Sequence, residues 1–314
     1  MNTPTTGPAT AAVLASRIRL EEKRILQALE ARGVPVVHLD PRRLELTVGG
    51  AAGPWSVVLN REISATRARY AALGLEAAGT TVVNSAAATG ICGDKWLTSL
   101  ALHRAGVPSP RTALSLTPEA ALDAVDEGGY PVVVKPLSSS WGRRVSLLRD
   151  RDAAEAVMEH CAALPAPQAH LIYRQELIDK PGRDIRVVVV DGRAVGAAYR
   201  TSESWRTNVA RGARTEPCPL TPELAGAAVA AARAVDAVIA GVDVVEDREG
   251  RLYVLEVNSG VEFAGLEAAH QGRVDVADAI AALVADAHRL ASTRTAGGCA
   301  PAAPDAAALE GAVR

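Results

Sequence analysis

Aromatic residues make up only 3% of the 314-residue chain and phenylalanine occurs once, so its core has to be built from aliphatic packing. No apolar run comes near the roughly 18 to 20 residues that cross a bilayer. The opening MNTPTTGPAT has neither the basic region nor the long apolar stretch of a secretory signal, so a cytoplasmic location is expected. The four cysteines, Cys92, Cys161, Cys218 and Cys299, lie far apart without CxxC spacing or neighbouring histidines. That pattern speaks against a disulfide framework and against a zinc site. The six histidines (His38, His103, His160, His170, His270, His288) are scattered, and no Ser-His-Asp or Cys-His arrangement stands out as a nucleophilic centre. Lys and Arg number 34 against 36 Asp and Glu, a net charge of −2 that gives no general attraction for nucleic acid or an anionic membrane.

Against these absences stands a 48% apolar content, enough for one large or two to three small domains. Residues 1–85 read as a small α/β unit, with an apolar run at Val13 to Ala15, a helix over 21–31 closed by Gly33, strands over 34–39, 56–59 and 81–83, and a helix over 64–78. Ser85 can cap a following helical stretch that resumes over 94–105. A second unit, residues 86–170, contains the β-branched run YPVVVK over 130–135 and a helix over 152–163. A third, residues 171–292, is rich in strands, over 171–177, 185–190, 194–199, 242–246 and 252–257, with helices over 221–239 and 274–289. Asp191-Gly192 and residues 247–250 are hairpin turns. Residues 293–314 are poor in large apolar groups and are expected to be a disordered tail. The N-terminal 85 residues also carry ten basic side chains against seven acidic ones.

Three segments point to chemistry. On the expected hairpin over 242–257, Glu256 and Asn258 share a strand face and Asp243 can lie beside them. Three oxygen donors of that kind suit Mg²⁺, although a Glu-x-Asn pair alone also reads as a solvated strand face. Lys135 ends the apolar strand before the loop PLSSSWGRR, where an ammonium and loop N–H groups can meet phosphate; alone, it also reads as a strand-end lysine reaching for water. The segment QELIDKPGRDIR turns at Pro181-Gly182 into a strand with Asp184 and Arg186 on one face, a pair that either neutralises itself or meets ribose and phosphate. The irregular stretch over 207–213 offers Asn208 and Arg211 as polar candidates.

In this order the pieces resemble the ATP-grasp ligases, more narrowly the RimK-like branch, and within it the LysX enzymes that attach α-aminoadipate to the C-terminal glutamate of an amino-group carrier protein. The resemblance covers about residues 12–290 and is most specific in SRIRLEEKRILQAL, KPLSSSWGRRVSLL, KPGRDIRVVVVDGRAVGAAYRTSESWRTNVARGA and LEVNSGVEF. It implies an α/β (α+β) three-domain ATP-grasp fold with an N-terminal Rossmann-like pre-ATP-grasp domain, and ATP held between the central and C-terminal domains. It implies phosphate contacts from Lys95 and Lys135, cover from Ser139, Ser140, Trp141 and Gly142, an adenine-side hinge at Gln175, Glu176 and Leu177, and a ribose contact from Asp184. Asp243, Glu256 and Asn258 would hold two Mg²⁺ ions, which Mn²⁺ can replace, while Arg186, Lys135, Arg211 and Asn208 would serve the reaction.

The family reaction makes an acyl phosphate from a carboxylate and ATP, and an amine then displaces phosphate. Its expected partners are a small acidic LysW-like carrier protein and an amino acid, contacted by Arg61, Arg67, Asn208, Glu262 and Phe263; a homodimer or homotetramer is expected. Arg61 and Arg67 are the expected basic entrance that steers the carrier. One departure stands out. Glu262-Phe263 is followed by Ala264-Gly265, where the LysX-like pattern continues with a basic residue and Asn, which weighs against an acidic substrate and opens the site to a less acidic or hydroxylated one, the amino acid itself staying unassigned. Two alternatives stay open: a RimK-like ligase adding glutamate to a ribosomal protein or small molecule, and a non-catalytic ATP-binding regulatory module.

Overall fold

The computed structural model describes residues 10–51, 53–138, 144–202 and 214–296. Ser139, Ser140, Trp141, Gly142, Asn208 and Arg211 lie outside the described residues, as do residues 297–314 of the expected tail.

The first sheet is built from β1 (Thr10–Leu14), α1 (Leu20–Ala31), β2 (Val36–Leu39), β3 (Trp55–Asn60), α2 (Ala65–Ala77) and β4 (Thr81–Val83). Its four strands are parallel in the order β2-β1-β3-β4. A parallel strand covered on both faces should be apolar throughout, and Ala11 to Leu14 are fully buried. Helix α1 presents Ile25 and Leu29 inward, and Gly33, at φ +70°, takes the left-handed turn that ends it.

Two helices follow, where the sequence predicts one stretch resuming at Asp94. In α3 (Ala86–Cys92) the Ser85 hydroxyl accepts from the Ala88 N–H, and in α4 (Lys95–Arg104) the Asp94 carboxylate accepts from the N–H groups of Trp96 and Leu97. The second sheet contains β5 (Thr112–Ser115), α5 (Pro118–Gly128), β6 (Val132–Lys135), β7 (Ser146–Leu148), α6 (Arg151–Ala163) and β8 (Ile172–Glu176), antiparallel in the order β5-β8-β6-β7. Strand β5 carries no periodic signal: all four of its residues are half-buried.

The third sheet holds β9 (Arg183–Val190), β10 (Arg193–Thr201), β11 (Arg214–Cys218), α7 (Pro222–Ala234), β12 (Ile239–Glu246) and β13 (Leu252–Asn258), in the antiparallel order β11-β10-β9-β12-β13. Asp191 and Gly192 close β9 onto β10 with φ of +50° and +67°, the two positive values a tight hairpin turn requires. Helix α7 stops at Ala234, short of the expected Ile239, because Asp236 turns left-handed and Ile239 opens β12 opposite Val190.

The described residues close with α8 (Ala264–Ala269) and α9 (Val276–Ala296). Helix α9 runs past residue 292, into the segment expected to be a tail. Its Val276, Ile280 and Val284 join Ile25 and Leu29 of α1, Val57 and Leu59 of β3, and Val188 and Val190 of β9 in one apolar core. Asn84 bolts the same two sheets together, its Nδ2 donating to the carbonyls of Ile239 and Ser259 and its Oδ1 accepting from the N–H groups of Val238 and Ile239. Among the described residues no helix is long and apolar enough to cross a membrane.

Candidate active site

A cavity of about 680 Å³ opens between the second and third sheets and reaches the carboxyl edge of the first. Antiparallel pairing of β9, β12 and β13 sets Arg186 opposite Asp243 and Asp243 opposite Glu256, one row of charge across three strands. Side chains alternate along a strand, so Asn258 shares the face of Glu256, and both line the cavity. Gly241 leaves room for this row: a Cβ there would lie 3.1 Å from Arg186 Nη1 and 2.6 Å from Val261 Cγ2.

The row is tightly paired. Arg186 donates through Nε to Asp243 Oδ1 at 2.6 Å and through Nη2 to Oδ2 at 3.2 Å, while Arg200 Nη2 lies 3.1 Å from Asp243 Oδ2. Arg200 Nε also donates to Asp184 Oδ1 at 2.6 Å. Burial works to raise the Asp243 pKa, but the two guanidiniums outweigh it and hold this carboxyl below the usual range. In the sequence Asp184 and Arg186 share a strand face, as a pair that either neutralises itself or meets ribose and phosphate. Across the sheet each takes a different partner: Asp184 pairs with Arg200 on β10, and Arg186 with Asp243 on β12.

Two lysines line the cavity, one on α4 and one on β6. Lys95, first residue of α4, places Nζ 3.5 Å from Glu256 Oε2, and its N–H donates to the Leu137 carbonyl. Lys135, at the end of β6, donates from Nζ to Gln175 Oε1 at 2.5 Å. The Lys135 side chain lines the cavity, and burial pushes its pKa down to about 8; the Glu256 charge opposes that shift and Lys95 adds to it. Gln175, Glu176 and Leu177 follow along the rim, and Lys180, whose ammonium is also pushed down by burial, faces the same space.

As an Mg²⁺ site the donor set fits in part. Glu256 and Asn258 supply a carboxylate and an amide oxygen to the cavity, hard donors of the right kind. Both oxygens of Asp243 are engaged by arginines, Oδ2 by two and Oδ1 by one, which leaves a lone pair on Oδ1 for a cation. Among the described residues no cluster of three or more His, Cys, Asp or Glu side chains is arranged to hold a metal.

The expected substrate residues divide. Arg61 is 2% exposed: its Nε donates to Glu22 Oε1 at 3.0 Å and its Nη1 to the Val261 carbonyl at 2.8 Å. It is a strut at the cavity wall and presents no charge to an approaching protein, which corrects its reading as an entrance. Arg67 is half-exposed and bound to Glu62 at 3.1 Å. Phe263 is fully buried in the core shared by α1, α9 and β3, which removes it as a substrate contact. Glu262 does face the cavity, held by Arg19 Nη1 at 2.8 Å. Arg200, Lys180, Tyr173 and Glu21 were not singled out from sequence. Glu21 is nearly buried on the cavity wall, where it accepts a 3.4 Å bond from the Ala264 N–H.

The comparisons agree with this geometry. Residues 92–284 match the RimK-like ATP-grasp domain and residues 11–91 the LysX preATP-grasp domain. The chain is 35% identical to the glutamate–LysW ligase ArgX of Sulfurisphaera tokodaii, over 79% of this chain and 89% of that protein. It is 30% identical to the α-aminoadipate–LysW ligase LysX of Sulfolobus acidocaldarius, over 78% and 91% of the two chains. The crystal structure of a RimK domain ATP-grasp protein from Sphaerobacter thermophilus superposes with a TM-score of 0.74 at 31% identity, covering 87% of this chain and 98% of that one. The paired lysines, the carboxylate row and the three-sheet frame thus stand in a known setting: the chain belongs to the RimK-like ATP-grasp family, the carboxylate–amine ligases.

Proposed function

We propose that this protein uses ATP to turn a carboxylate into an acyl phosphate and then joins it to the α-amino group of an amino acid, the carboxylate being the γ-carboxylate of the C-terminal glutamate of a small acidic LysW-like carrier protein. In the first step a carboxylate oxygen bonds to the γ-phosphorus and ADP leaves; in the second the amine nitrogen bonds to the acyl carbon, its surplus protons pass to water, and phosphate leaves with the former carboxylate oxygen. The observation that carries the reading is the convergence of Lys95, Lys135, Arg186 and Glu256 on one cavity. Phosphoryl transfer asks for positioning and charge neutralisation rather than a protein nucleophile, and this cavity is equipped for both.

The roles follow from placement. Lys95 and Lys135 neutralise phosphate oxygens from the β6 side, and Arg186 from the β9 side. Glu176 and Leu177 form the adenine-side rim with Gln175 behind them, and Asp184, held by Arg200, faces the ribose. Glu256 and Asn258 would hold Mg²⁺, for which Mn²⁺ can stand in, with Asp243 beside them. Bound Mg²⁺ supplies charge neutralisation at the transferred phosphoryl group.

The relatives named above act with glutamate or α-aminoadipate on LysW, which supports the carrier and leaves the amino acid to be read from the far end of the cavity. There Arg19 and Arg61 both pair with Glu22, and Glu21 and Glu262 add two more carboxylates. That balance favours an amino acid whose side chain is not a second carboxylate. The test is ADP release with ATP, Mg²⁺, a LysW-type carrier and a panel of amino acids. Release that needs both carrier and amine supports the reading, and a best substrate among the neutral or hydroxylated amino acids supports the second part. ADP release indifferent to both additions removes the whole proposal.

A further inference from the structure

A chain of hydrogen bonds runs behind Lys135, and its direction can be worked out from chemistry alone. An ammonium only donates, so Gln175 must present Oε1 to Lys135, at 2.5 Å. That fixes the amide: both Nε2 protons point the other way, to Tyr173 Oη at 3.0 Å and to Thr112 Oγ1 at 3.2 Å. Thr112 can accept because its own proton goes to the Pro110 carbonyl at 2.8 Å. Tyr173 Oη, having accepted from Gln175, also pairs with Ser99 Oγ at 2.9 Å, where either hydroxyl can supply the proton. Ser99 stands one turn along α4 from Lys95. Tyr173 is 1% exposed and Gln175 3%, so solvent does not replace a lost partner.

We infer that Tyr173 is a positioning residue for nucleotide binding: through Gln175 it fixes the direction of the Lys135 ammonium, and through Ser99 it registers that ammonium to the helix carrying Lys95. Without the hydroxyl, an amide proton of Gln175 is left unpaired in a buried site, and the amide relieves this by turning, which withdraws Oε1 from Lys135. Tyr173 itself touches no substrate. The inference rests on the nucleotide site proposed above.

The test is equilibrium binding of the non-hydrolysable analogue AMPPNP with Mg²⁺ to the full chain, by calorimetry, with melting temperature as the check on folding. Tyr173→Phe is expected to weaken binding about tenfold, the scale of one buried hydrogen bond left unsatisfied. In a Lys135→Met background the same substitution is expected to change binding less than about twofold, because the group it positions is gone. Equal losses in the two backgrounds, or unchanged affinity in Tyr173→Phe, overturn the inference. Should Tyr173→Phe fail to fold, Ser99→Ala cuts the same chain at its far end and is judged by the same comparison. A wild-type chain that does not bind AMPPNP overturns the nucleotide site itself, a result distinct from either.

Discussion

Lys95 Nζ lies 3.5 Å from Glu256 Oε2, a contact that ties the first turn of α4 to the end of β13 and sets a helix-borne cation against a strand carboxylate. Lys135 stands near enough to Asp243 and Glu256 to feel both charges. Glu256→Ala and Lys135→Met are each expected to lower kcat at least about a hundredfold, on the scale of losing a charged group aimed at a developing charge. Neither should lower the melting temperature much, because both side chains face the cavity rather than the core. Retained turnover in either variant contradicts the site.

The pH dependence follows from Lys135. Burial brings its pKa down to about 8, below the ordinary lysine value, so the ammonium is present at neutral pH and is lost as pH rises through about 8. A pH profile of kcat/KM for ATP should therefore show an alkaline limb near that value. A profile flat to pH 10 would mean that the ammonium is not needed.

Arg61 and Arg67 are expected to behave differently. Removing Arg61 leaves the fully buried Glu22 carboxylate with Arg19 as its remaining charged partner and strands the Val261 carbonyl. Arg61→Ala should destabilise the protein by about 3 to 5 kcal/mol, read by urea unfolding. Arg67→Ala removes a half-exposed ion pair and should change stability by less than about 1 kcal/mol. Equal effects contradict the strut.

Asn84 is the second structural bolt. It makes four hydrogen bonds to Val238, Ile239 and Ser259 from a residue 2% exposed. Asn84→Ala should cost about 2 to 4 kcal/mol in the same unfolding experiment, because buried backbone groups lose their partners. A loss under about 0.5 kcal/mol would show that water replaces the amide.

Much of the frame was legible from local pattern. The hairpin carrying Asp243, Glu256 and Asn258 was readable because strand alternation and the turn over 247–250 fix which side chains share a face. Ser85 caps its helix as its type and position foretell. What escaped is non-local. Arg200 sits in an ordinary strand sequence, and only pairing of β9 with β10 brings it to Asp184 and Asp243. Asn84 and Tyr173 gain their roles from chain segments about 75 to 175 residues away, contacts that carry no periodicity. Arg61 was misread for a related reason: its charge is visible in sequence, but the Glu22 and Val261 groups that bury it come from two other elements.

The most direct test is the intact mass of a LysW-type carrier protein after incubation with this chain, ATP, Mg²⁺ and an amino acid mixture. Ligation predicts a carrier heavier by one amino-acid residue, with ADP formed in equal amount and no change when ATP or Mg²⁺ is left out. A carrier of unchanged mass while ATP is consumed at the same rate with or without it would contradict the account.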